Sequence, residues 1–71
     1  MSLLETELAV LCELRDYGAM TEADLAYAVS GAPALLPGLC ARGYVDARAV
    51  AERQTEWELT DGGLDVVDGD G

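Results

Sequence analysis

"LCARGYVDARAVAERQTEWELTDGG", residues 39–63, is the stretch whose reading decides the fold. Its first residues extend a helical spacing in which Leu39 faces inward. Gly43 lets the chain leave that helix, because glycine adopts backbone conformations closed to other residues. The period then changes from about 3.6 to 2. "YVDAR" at 44–48 and "QTEWELT" at 54–60 read as two strands, with Thr55, Trp57 and Leu59 on one face and Glu56 and Glu58 on the other. The two strands predict a hairpin with "AVAERQ" at its tip and with Val45 beside Trp57 and Leu59. As the largest apolar group available, Trp57 is expected to be buried between the hairpin and the helices. Thr60 can cap a short final helix through Val66 and Val67, which Gly62 and Gly63 weaken.

Upstream, the pattern is helical. Ser2 and Glu5 form an S-x-x-E capping box, followed by Leu4, Leu8, Leu11 and Cys12 at helical spacing up to Tyr17 and Gly18. Thr21 and Asp24 open a second helix, with Leu25, Ala26 and Val29 inward and a stop near Ser30 and Gly31. Pro33 suits the first position of a third helix, whose stripe is Leu35, Leu36, Leu39 and Cys40. The expected organisation is a single α+β domain over residues 1–68 and a flexible acidic tail at 69–71.

With 71 residues the chain has room for one compact core. Fourteen Asp and Glu face four Arg, with no Lys or His, for a net charge of -10. Such a balance steers a protein away from nucleic acid. The missing lysines and the wealth of Ala, Val, Asp and Glu resemble the proteins of salt-loving archaea, although an ordinary acidic protein is the alternative. At ~1 M salt the Debye length is only ~3 Å, so repulsion from phosphate is screened, but binding driven by counterion release weakens as well. No apolar run approaches the ~20 residues of a spanning helix, and no basic region opens a signal peptide. A cytoplasmic location is expected.

The order helix, helix, helix, hairpin resembles the winged helix-turn-helix of MarR-like and PadR-like transcriptional regulators. "LCARGYV" at 39–45 is similar to the family's "LxxxGxV" link between recognition helix and first wing strand, and "WELTDGG" at 57–63 to its "YxLTxxG" wing end. The resemblance covers about residues 3–67 and implies three helices, a two-stranded wing and a short C-terminal helix. It also implies that the third helix enters the major groove with the face opposite its apolar stripe.

That face consists of Ala34, Pro37, Gly38 and Ala41. Base readout uses Arg, Lys, Asn or Gln, and these residues offer only contact with a thymine methyl. Pro37 is expected to kink the helix or to begin it, since an interior proline costs ~3 kcal/mol. Arg42 on the flank, with Arg48 and Arg53 astride the hairpin tip, are the candidate nucleic-acid contacts. Ion pairs of Arg48 and Arg53 with Glu52, Glu56 or Glu58 are the plainer alternative.

Two functions therefore compete. One is a DNA-binding transcriptional regulator with weak intrinsic sequence specificity. The other is a protein-interaction or homodimerisation module using Ala34, Gly38 and Ala41, where small residues allow another helix to approach. No enzyme is expected: His, Lys and a phosphate loop are missing, and Cys12 and Cys40 lack a general base. The two cysteines cannot complete a zinc site and should pack as small hydrophobes. Asp61, Asp65, Asp68 and Asp70 read as a solvated acidic end rather than a cation site. No cofactor and no small-molecule ligand are identified.

The charge generates one expectation directly. The melting temperature should climb as potassium chloride rises from low to molar concentration, because screening relieves the repulsion among uncompensated carboxylates. A flat or falling thermal-denaturation series would remove the support for a salt-adapted protein.

Overall fold

The computed structural model describes residues 3–70. Its elements run α1 (Glu5–Tyr17), β1 (Met20–Thr21), α2 (Glu22–Ala28), α3 (Ala32–Ala41), β2 (Val45–Ala51), β3 (Gln54–Leu59) and α4 (Asp61–Asp70). The antiparallel sheet has the order β1-β3-β2, so the expected two-stranded hairpin gains a third, two-residue strand. Met20 pairs with Trp57 and Thr21 with Glu56, on the free edge of β3. Two residues are too few to show an alternating pattern, which is why the sequence does not announce β1.

In α1 the inward stripe is Glu7, Val10, Leu11 and Leu14. Leu8 and Cys12 flank it half-buried, while Leu4 is exposed and serves as the N-cap. Ser2, expected as the cap, lies outside the described residues. Glu7 performs half of a capping box, its Oε1 accepting a 2.9 Å hydrogen bond from the Leu4 N–H. Thr21 caps α2 as expected, its Oγ1 accepting from the Asp24 N–H at 3.2 Å. α2 ends at Ala28, because Val29 has already turned extended.

α3 starts at Ala32 with Gly31 as its N-cap, which puts Pro33 in the first turn, where no donor is missed. Pro37 lies inside the helix and does not begin it. The helix closes with a Schellman arrangement. The Gly43 N–H donates to Cys40 O and the Tyr44 N–H to Leu39 O, with Gly43 at φ 82°.

The core draws on all four helices and on β2. Val10, Leu11 and Leu14 of α1, Leu25 of α2, Ala32, Leu36 and Leu39 of α3, Val45 of β2 and Val67 of α4 form one buried cluster. Each fully buried leucine contributes about 1.5–3 kcal/mol. Cys12 and Cys40 are free thiols, half-buried against this cluster. Trp57 is half-buried rather than buried. The helices cover β3 near Leu59, and toward Thr55 the hairpin projects into solvent, so Trp57 sits where cover gives way.

The hairpin is longer and tighter than expected. β2 continues to Ala51, Ala51 pairs with Gln54, and the turn is Glu52 and Arg53 alone. Neither Glu52 nor Arg53 has positive φ, so this turn is not of the primed kinds that match strand twist. An irregularity between Ala49 and Ala51 takes up the mismatch.

The two sequence signatures meet at the base of the hairpin. Thr60 Oγ1 donates to Gly43 O at 2.5 Å and accepts from the Gly63 N–H at 3.0 Å, capping α4, while the Thr60 N–H donates to Tyr44 O at 3.1 Å. Gly63 is buried under the same strand entry. A Cβ there would overlap the Tyr44 carbonyl oxygen and stand 2.7 Å from Leu59 Cδ1. α4 then runs to Asp70, taking in two of the three residues expected as a tail.

Gly63→Ala should destabilise the domain by about 1–3 kcal/mol in denaturant unfolding, although alanine is the better helix former by ~1 kcal/mol. Gly69→Ala, with nothing within 4 Å of the added carbon, should cost nothing. Equal behaviour of the two variants would contradict the close approach at Gly63.

Candidate nucleic-acid interface

Three features bear on a candidate interface: the outer face of α3, the hairpin tip, and the arginines around them. Ala34, Pro37, Gly38 and Ala41 are all exposed, so α3 carries its apolar stripe inward and a bare face outward. A Cβ added at Gly38 would meet nothing within 4 Å. The face offers backbone and methyl groups to whatever approaches, and no side-chain donor or acceptor.

The arginines differ in how far they are committed. Arg42, at the C-cap of α3, sends its Nη2 to Glu7 Oε2 at 2.6 Å. Glu7 is only 4% exposed, whereas the Arg42 side chain is 44% exposed. A buried carboxylate without a partner would be costly, and here both oxygens are used, one by Arg42 and one by the Leu4 N–H. The bond ties the start of α1 to the end of α3. Arg42 was legible as a flanking cation, but its role in satisfying Glu7 was not. The missed signal lies in the spacing of Glu7, Leu11 and Leu14, which puts the glutamate in line with the buried leucines.

Arg48 stands opposite Glu56 on β3, and its Nη1 lies 4.0 Å from Glu58 Oε2. The same face carries Asp46 directly opposite Glu58, a like-charge pair that disfavours the sheet. Arg48 is therefore surrounded by carboxylates that offset its charge. Arg53 occupies the two-residue turn, is exposed, and has no ion pair among the described residues. Beside it, a shallow cleft is lined by Thr21, Glu22, Ala23, Gln54 and Thr55.

Arg15 lies elsewhere, on α1. Its side chain bonds Asp16 at 3.3 Å and approaches Asp68 of α4 at 3.7 Å, and the Asp16 hydrogen bond raises its pKa above the ordinary guanidinium value. Among the described residues no cluster of His, Cys, Asp or Glu could hold a metal ion, and no helix is long and apolar enough to cross a membrane.

Three helices, a β-hairpin projecting beyond them and a closing helix define a winged helix-turn-helix, with α3 in the recognition position and β2–β3 as the wing. Its architecture is similar to that of Bordetella bronchiseptica BpsR, whose structure concerns the regulation of that protein's DNA binding by 6-hydroxynicotinic acid. The two share 26% sequence identity with a TM-score of 0.86, over 96% of this chain and 52% of that one. The chain thus spans about half the length of BpsR. No family model matches the chain, and no curated protein matches it.

Removing Arg42 should be felt in stability. Arg42→Ala strands one oxygen of a buried carboxylate and should cost about 1.5–3 kcal/mol, the range for hydrogen bonds to charged groups. Arg53→Ala should stay within about 0.5 kcal/mol, as exposed substitutions do. Urea melts of the two variants side by side check this, and equal midpoints would refute the tie between α1 and α3.

Proposed function

We propose that the chain is the DNA-binding module of a transcriptional regulator, engaging duplex DNA with weak sequence discrimination. The observation that carries this reading is the likeness over 96% of the chain to BpsR, a protein that binds DNA. The finer statement rests on side chains. α3 approaches the major groove with Ala34, Gly38 and Ala41, which cannot tell one base pair from another beyond a thymine methyl. Affinity comes from the wing and the helix end. Arg53 is free to neutralise a phosphate, Arg48 must first leave Glu58, and Arg42 offers the donors that Glu7 does not use.

A second reading is favoured by the bareness of the same face. Ala34, Gly38 and Ala41 are exposed and uncharged on a chain of net charge -10, and they would admit a helix of another protein or of a second copy. In that case the domain is an interaction module, and Gly38→Arg shifts its sedimenting assembly toward monomer.

Salt dependence separates the two. With at most three arginines contacting phosphate, the slope of log K against log salt should be no steeper than about -2.7 per chain on a mixed-sequence duplex. Arg53→Ala should weaken binding uniformly across sequences and flatten the slope by about 0.9. Fluorescence anisotropy across ~50 to 200 mM salt reads both quantities. Binding unchanged by Arg53→Ala removes the wing from the interface, and a sharp footprint at one operator refutes weak discrimination.

A further inference from the structure

The side of the domain formed by α1 and α2 presents a different chemistry. Glu13 and Tyr17 stand four residues apart on α1, and Asp24, Tyr27 and Ala28 stand three and four apart on α2, so each set shares a helix face. With Met20 of β1 they line one shallow, mainly apolar cleft of about 390 Å³. Tyr17 is 73% exposed and Tyr27 96% exposed. These are the two most exposed large hydrophobic groups among the described residues, and they stand on the same cleft. Neither Glu13 nor Asp24 has an ion-pair partner among the described residues.

We propose that this cleft is a docking site for a cationic segment of a protein partner, with an arginine or lysine side chain lodged against Tyr17 and Tyr27. Charge complementarity selects the occupant. Aromatic faces attract guanidinium and ammonium groups within about 6 Å, the two carboxylates supply the countercharge, and Met20 and Ala28 accept the aliphatic stem. DNA and an anionic membrane carry the wrong sign. A second copy of the chain fits poorly, since it too carries -10 and three of its four arginines already face carboxylates. The shallowness suits a segment lying across the surface rather than an enclosed small cation.

The test uses a glycine-based peptide with two arginines, its glutamate analogue and tetramethylammonium, each titrated into the full chain while the tyrosine ring resonances are followed by NMR. Saturable shifts of Tyr17 and Tyr27 with the arginine peptide alone are expected. Tyr17→Leu with Tyr27→Leu keeps the net charge and should weaken binding about five- to tenfold. Glu13→Gln with Asp24→Asn should weaken it comparably while leaving the tyrosines in place. Because all but Glu13 of these side chains are exposed, circular dichroism and melting should confirm that both double variants are folded. Peptide binding unaffected by the tyrosine substitutions would reduce the effect to bulk attraction by an acidic protein and overturn the proposal. So would tetramethylammonium binding as tightly as the peptide, or tyrosine shifts that depend on protein concentration without peptide.

Discussion

The contact on which the rest depends is the meeting of Thr60 and Gly63 with Gly43 and Tyr44. One hydroxyl, giving its proton to Gly43 O and receiving one from the Gly63 N–H, joins the end of α3, the entry to β2, the exit from β3 and the start of α4. Four chain directions are set within two hydrogen bonds and one close backbone approach. The approach has room only because residue 63 lacks a side chain. The wing can project freely because its base is held so closely.

The two motifs that make this junction were legible in the sequence, as the glycine after "LCAR" and the "LTDGG" that ends the hairpin, but their meeting was not, and Gly63 read only as a residue that weakens the last helix. Both short motifs put glycine where a positive φ or a close backbone approach requires it, so they survive as readable signs. The strand β1 did not, since two residues carry no period, and its pairing with Trp57 and Glu56 exists only once the chain has folded back. The hairpin was read too short for a related reason: Ala49, Val50 and Ala51 are exposed and apolar, which looks like neither a buried strand nor a polar loop. Trp57 was read from its size and from the face it shares with Thr55 and Leu59, whereas its burial depends on how far the helices reach along β3.

The candidate interface was legible in outline and illegible in its charges. The bare face of α3 follows from helical spacing and is as exposed as the spacing implies. The standing of each arginine does not follow from spacing, because its partners come from other elements: Arg42 finds a glutamate 35 residues away in the chain. Hydrophobic patterning passes over a buried glutamate, since it counts the residue as surface. Only the alignment of Glu7 with Leu11 and Leu14 hints that the stripe includes it.

The two prolines of α3 act in opposite directions. Pro33 sits where its missing N–H has no helical acceptor to lose, and Pro37 leaves the carbonyl of Pro33 without its usual partner four residues on. The ring of Pro33 holds φ near the helical value before any tertiary contact forms, and a residue so restrained surrenders less freedom on folding, a gain of about 0.4–1 kcal/mol where the native conformation suits it, whereas Pro37 gives up a helical hydrogen bond and disfavours helical geometry at Leu36. A ten-residue helix without a charged side chain therefore owes its order to the packing of Ala32, Leu36 and Leu39 in the core rather than to local stiffening.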